Sequence, residues 1–187
     1  MRQALSPVTA RRVCEALRSI GIALAGMSLA ALVFACAISG AAPVPTVATV
    51  AAAGLDVAMA EVQFLDLLNA DRVANGLPPL EPDPRLVELA RWRSEDLVAR
   101  DYFSHDIGGY NVFQVMRDQQ IDYWLAGENL AYNTYDAEET VAVAERGLMN
   151  SPAHRENILR PEFTLVGVGV ATGPDGKTVY TQLFVQD

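Results

Sequence analysis

Cysteine is nearly absent from this 187-residue sequence, and the two that occur, Cys14 and Cys36, both precede residue 37. Everything after that point must therefore be held by an apolar core without disulfides, and about 130 residues suffice to build one. Histidine is equally rare: His105 and His154 are the whole supply. They are far apart in the chain, which excludes a metal site written in one short local motif. Charge is missing altogether between Ile20 and Ile38. Positive charge is thin beyond the start of the chain, for once residues 1–42 are set aside 10 basic side chains face 22 acidic ones, a net charge of −12. Such a surface repels phosphate backbones and anionic headgroups, so bulk electrostatics exclude nucleic acid and leave membrane contact to the N-terminal segment. No internal repeat is present.

What is there begins with Arg2, Arg11, Arg12 and Arg18, followed by the uncharged stretch and the small residues Ser39-Gly40-Ala41-Ala42. That order reads as a signal peptide over residues 1–42, cut near Ala41 or Ala42, which predicts a secreted or extracytoplasmic protein. The apolar stretch is long for a signal core and nearly long enough to span a bilayer, so an uncleaved transmembrane anchor is the rival reading. In both, the arginines stay cytoplasmic and the rest crosses. Val33-Phe34-Ala35-Cys36 is a poor acylation site because Phe34 is too bulky. Residues 43–56, rich in Ala, Val, Thr and Pro, read as a flexible linker.

From Val57 onward helical spacing sets in. Val62, Leu65, Leu68, Arg72 and Val73 predict one face of a first helix, widened by Phe64 and Leu67 and stopped by Asn75-Gly76. Asp83-Pro84 predicts a second helix start, with Leu86, Leu89, Ala90, Leu97 and Val98 inward and Arg91, Arg93, Glu95 and Asp96 in solvent. Residues 102–109 form a loop carrying His105, 112–119 a short helix, and 125–133 a strand-like passage containing Gly127-Glu128-Asn129. A further helix is expected from Asp136 to about Asn150, and another from Ser151-Pro152 to Leu159. Two alternating strands close the domain, the first with Val166, Val168 and Val170 and the second over 179–185, joined by the turn Gly173-Pro174-Asp175-Gly176. The class is α+β.

His105 and His154 suit zinc ligation or acid–base work, with Glu128 as a third ligand or general base. The plainer reading is that His105 closes a loop and His154 bonds a nearby carbonyl or carboxylate. Ser151 shares a face with His154, as a nucleophile would, but serine before Pro152 is more simply a helix cap. Gly167 and Gly169 leave room either for a ligand or for a helix against the sheet. Tyr102, Phe103, Tyr110 and Tyr132 either line a groove or belong to core and rim.

Five motifs occur in one order: Asn69-x-x-Arg72-x-x-x-Gly76-Leu77-x-x-Leu80, Phe103-Ser104-His105, Gly127-Glu128-Asn129, Ser151-Pro152-Ala153-His154-Arg155-x-Asn157-Ile158-Leu159, and Val166-Gly167-Val168-Gly169. Together they resemble the signature of the CAP superfamily, the SCP domain of cysteine-rich secretory, antigen 5 and pathogenesis-related 1 proteins, over residues 57–187. The resemblance implies a three-layer α-β-α sandwich around a central antiparallel sheet. It also implies a cleft with two histidines, here His105 and His154, and two glutamates in many members. Glu128 matches the first. Ser151 stands at the second, and Leu148 at the tryptophan before it, leaving one carboxylate. Ala153 replaces the usual glycine.

The expectation is an exported binding domain whose cleft of His105, Glu128, His154 and Ser151 holds a divalent cation on His105 and His154, zinc foremost. Its further ligand would be a lipid or cell-envelope component, since some members of the superfamily bind sterols or other lipids. The rival is a metal-dependent hydrolase, a peptidase for example, with Glu128 as base. A third reading is a non-catalytic scaffold.

Overall fold

The computed structural model describes residues 54–186. The export-signal, anchor and acylation readings of residues 1–42 lie outside them, as does most of the linker. Helix α1 (Val57–Ala74) starts where Asp56 accepts a hydrogen bond from the Met59 amide at 3.2 Å, and it ends at Asn75, before Gly76 at φ 78°. Strand β1 (Glu81–Pro82) leads into α2 (Pro84–Ala99), capped by Asp83 through the Arg85 and Leu86 amides. Helix α3 (Val112–Asp118) opens on a capping box of Asn111 and Gln114. Strand β2 (Leu125–Asn133), helices α4 (Thr140–Asn150) and α5 (Pro152–Ile158), and strands β3 (Leu165–Thr172) and β4 (Thr178–Gln186) complete the described residues.

The four strands form one sheet in the order β1-β3-β4-β2, with helices on both faces. Val166, Val168, Val170, Tyr180 and Phe184 face α1, α4 and α5 and meet Phe64, Leu68, Leu148 and Ile158. Leu183 and Val185 face α2 and α3 and meet Leu86, Leu89 and Met116. The layers are those expected. The sheet is antiparallel for β2, β3 and β4, but β1 runs parallel to β3, which makes it mixed. Pro82 lacks an N–H, and such a residue is tolerated on an edge strand, where β1 lies.

Several local expectations are corrected. Val62 and Val73 are exposed, and the buried stripe of α1 is Ala60, Glu61, Phe64, Leu68 and Arg72. Arg93 is not in solvent but fully buried. The helix expected at Asp136 starts at Thr140, after a turn in which the Glu139 and Thr140 amides donate to the Asp136 carbonyl; Asn133 at the end of β2 grips Thr140, accepting from its hydroxyl at 2.6 Å and donating to its carbonyl at 2.9 Å. Ser151 precedes α5 as expected, but its side chain makes no cap hydrogen bond. Of the two readings of Gly167 and Gly169, close helix packing is the one realised. A methyl on Gly167 would fall on the backbone of Leu86, and one on Gly169 on that of Ala90.

Arg72 fixes α5 from beneath. Its guanidinium is buried and donates to the carbonyls of Pro78 (2.9 Å), Ile158 (2.8 Å), Arg160 (2.9 Å) and Phe163 (3.4 Å). Burial without a carboxylate partner holds its pKa below the usual arginine value. The carbonyls left open at the end of a helix thereby find donors, and the short helix that carries His154 is tied to α1.

Candidate functional site

Strand β2 lies at one edge of the sheet, and neighbouring residues on a strand point to opposite faces. Glu128 is in register with Leu183, which packs with α2 and α3, whereas Asn129 is in register with Gln182 and points toward α4 and α5. The dipeptide thus serves both layers at once.

On the α2 side, Arg93 donates from Nε to Glu128 Oε1 at 2.9 Å and from Nη1 to the Tyr102 hydroxyl at 2.5 Å, and it also bonds the Ser104 carbonyl. Tyr102 donates in turn to Asp96 Oδ2 at 2.5 Å. Burial pushes the Asp96 carboxyl up, but the hydrogen bonds from Arg100 and Tyr102 and the charges of Arg100 and Arg93 outweigh it and hold it below the usual carboxylate value. The other Glu128 oxygen, Oε2, meets His105 Nδ1 at 2.5 Å. A carboxylate only accepts, so Nδ1 carries a proton, and in the neutral ring Nε2 is the nitrogen with the lone pair. The His105 side chain is 59% exposed, while that of Glu128 is 2% exposed. Glu128 therefore orients the imidazole, with one hydrogen bond already on each of its oxygens.

On the other side, Asn129 donates to the His154 carbonyl at 3.0 Å and to Gln182 at 3.0 Å, and it accepts from Asn157 at 2.9 Å. His154 lies in the first turn of α5. Burial, and then the charge of His105, hold its pKa below the usual histidine value, so the ring stays neutral further into acid. Each histidine lies within electrostatic reach of the other although one follows α2 and the other sits on α5. His154 and Ser151 line a groove of about 270 Å³ with Phe103, Leu130, Ala131, Tyr132, Gly147 and Leu148. Phe103 and Tyr132 stand edge to face at 4.7 Å on its rim, 45% and 55% exposed. A larger open hollow of about 540 Å³ is lined by residues of α5 and the loop after it, among them Arg155 and Arg160, and neither histidine lines it.

His105, Glu128, His154 and Ser151 are thus found around the edge of β2, while of the four aromatics Phe103 and Tyr132 border the groove and Tyr102 serves Arg93. Among the described residues no group of three or more His, Cys, Asp or Glu side chains gathers as a metal shell. A cation would have the two imidazoles, with the remaining positions left to water or ligand. Sequence reasoning missed Arg93 and Gln182. A signal for the first existed, since Arg93 falls at helical spacing with Leu86, Ala90 and Leu97. Gln182 similarly falls between Tyr180 and Phe184 on the inward face of β4.

The profile of the Cysteine-rich secretory protein family, CAP, matches residues 65–186. The Bacillus subtilis uncharacterized protein YkwD is 37% identical over 138 residues, which is 73% of this chain and 51% of YkwD. The uncharacterized membrane protein YlbC of the same organism is 38% identical over 127 residues, 67% of this chain and 34% of YlbC. The crystal structure of an extracellular protein containing a SCP domain from Bacillus anthracis is 32% identical, with a TM-score of 0.61, over 70% of this chain and 41% of that one. NaASP2, crystallised with Zn2+, shares the fold at 12% identity and a TM-score of 0.50, over 67% of this chain and 78% of its own. The match thus spans about half of YkwD and a third of YlbC. This chain belongs to the CAP family, in a form whose described domain contains no cysteine.

Proposed function

We propose that the domain works outside the cytoplasm as a binding module, in which His105 and His154 hold a divalent cation, zinc first, beside a groove that takes an apolar part of a lipid or cell-envelope ligand. The observation that carries this reading is the pinned imidazole: Arg93 fixes Glu128, Glu128 holds Nδ1 of His105, and Nε2 remains for a metal. A histidine ligand whose other ring N–H is held by a carboxylate is a common arrangement at zinc. The extracellular Bacillus anthracis relative, the membrane protein YlbC and the Zn2+ in the NaASP2 crystal lend it support. His105 and His154 would hold the cation, which would supply Lewis-acid chemistry there when bound.

The hydrolytic alternative needs Glu128 to accept a proton from water. Both of its oxygens are engaged and its side chain is buried, which counts against that role. The Ser151 side chain makes no cap hydrogen bond at α5, and among the described residues no hydrogen bond to the His154 ring is seen, so a serine nucleophile gains no support either. Metal analysis of the protein purified without chelator, with extraction and mass spectrometry of whatever it carries, tests the reading. One equivalent of zinc or less, with an extractable apolar compound, is the expected outcome. Protein free of metal that also takes none up on incubation would sink it.

A further inference from the structure

Glu145 lies in α4 at 3% exposure, a position where a carboxyl is expensive and an aliphatic side chain would pack at no such cost. Its Oε2 accepts from Gln182 Nε2 at 2.6 Å, while Oε1 has no hydrogen-bond partner among the described residues. Gln182 Oε1 accepts from Asn129 at 3.0 Å, and the same Asn129 amide reaches the His154 carbonyl at 3.0 Å. Asn157 closes the group from α5 by donating to Asn129 at 2.9 Å. One unbroken string of polar groups therefore runs from a core carboxyl to the helix turn that carries His154. We propose that Glu145 is a positioning residue for His154, holding the first turn of α5 in place through Gln182 and Asn129. The proposal rests on the reading of His154 as part of the functional site.

The surroundings make that hold sensitive to alkali. Burial, and then the charge of Asp71, push the Glu145 carboxyl up to about 8 against the opposing hydrogen bond from Gln182. From α1 come Asp71 and Arg72, whose guanidinium is taken up by carbonyls. From α5 comes Arg155, whose charge acts on Asp71. β2 brings Glu128, directed to the opposite face, and β4 brings the neutral Gln182 and Tyr180, whose phenol burial pushes up to about 12. Below about 8 the acid is neutral and the string stands; above it, an anion with one unpartnered oxygen pulls on Gln182.

Histidine-selective carbon-13 labelling of the full chain, free of metal, gives two imidazole signals, assigned by a His105→Ala variant. The His154 signal is expected to move twice, once below the ordinary histidine value of 6.5 and again near about 8. Glu145→Gln should lose the second step and keep the first. Gln182→Met should also lose it, although the carboxyl remains. A wild type without the second step, or a second step that persists in either variant, would overturn the proposal; persistence in Gln182→Met would mean that charge acts through space and not along the string. Because no metal is present, this outcome is independent of whether the site binds zinc.

Discussion

Arg93 shows how one side chain can organise a site without touching a ligand. Its guanidinium is fully buried and holds Glu128, Tyr102 and the Ser104 carbonyl, which lie on a strand and on the loop after α2. Removing one member of a buried ion pair leaves the other charge uncompensated, at a cost of about 3 to 5 kcal/mol. Arg93→Met should therefore lower stability by about that amount in denaturant unfolding. It should also free the His105 ring, seen as loss of the single Nδ1-protonated tautomer in nitrogen-15 spectra. A drop of less than about 1 kcal/mol with an unchanged tautomer would mean that Glu128 needs no such anchor. The residue type hid this role, since arginine is seldom fully buried. Its helical spacing with Leu86, Ala90 and Leu97 pointed inward, and the spacing was the better guide.

At the scale of elements, strands were easier to read than helix faces. The strand-like passage read over 125–133 coincides with β2, and the final hairpin follows from Val166, Val168 and Val170 with its Gly-Pro-Asp-Gly turn. Helix α1 was harder because Val62 and Val73 lie beside its buried stripe, and apolar character alone does not separate edge from face. The start of α4 coincides with the clamp from Asn133, a side-chain contact that helix propensity does not reveal. The meeting of His105 with Glu128 across 23 residues came only from resemblance to a family, because loop closure leaves no spacing rule. The glycines of β3 carry the contact between α2 and the sheet. Gly169→Ala should cost about 3 kcal/mol, since its methyl would meet helix backbone, which yields less readily than a side chain. Thermal unfolding checks this, and a near-neutral result would mean that α2 can slide on the sheet.

The whole molecule is acidic, cysteine-free after residue 36, and dependent on its core. Its stability should bear the mark of Glu145. The folded-state pKa of that carboxyl lies above its unfolded value, so its contribution is full below about 4.5 and is lost as pH rises through about 8. Between those limits wild-type stability should fall relative to Glu145→Gln, and above about 8 the difference should level off. Parallel curves from pH 4 to 9 would contradict the burial argument. The central claim concerns the histidines, and calorimetric titration with zinc on wild type, His105→Ala and His154→Ala tests it most directly. Binding near neutral pH by the wild type is expected, weakening as acid protonates the imidazoles. His154 should remain competent below the ordinary 6.5, because burial and the charge of His105 keep it neutral there. Each alanine variant should lose at least about tenfold in affinity while its circular dichroism stays unchanged. No heat of binding by wild type, or undiminished binding by both variants, would contradict the account.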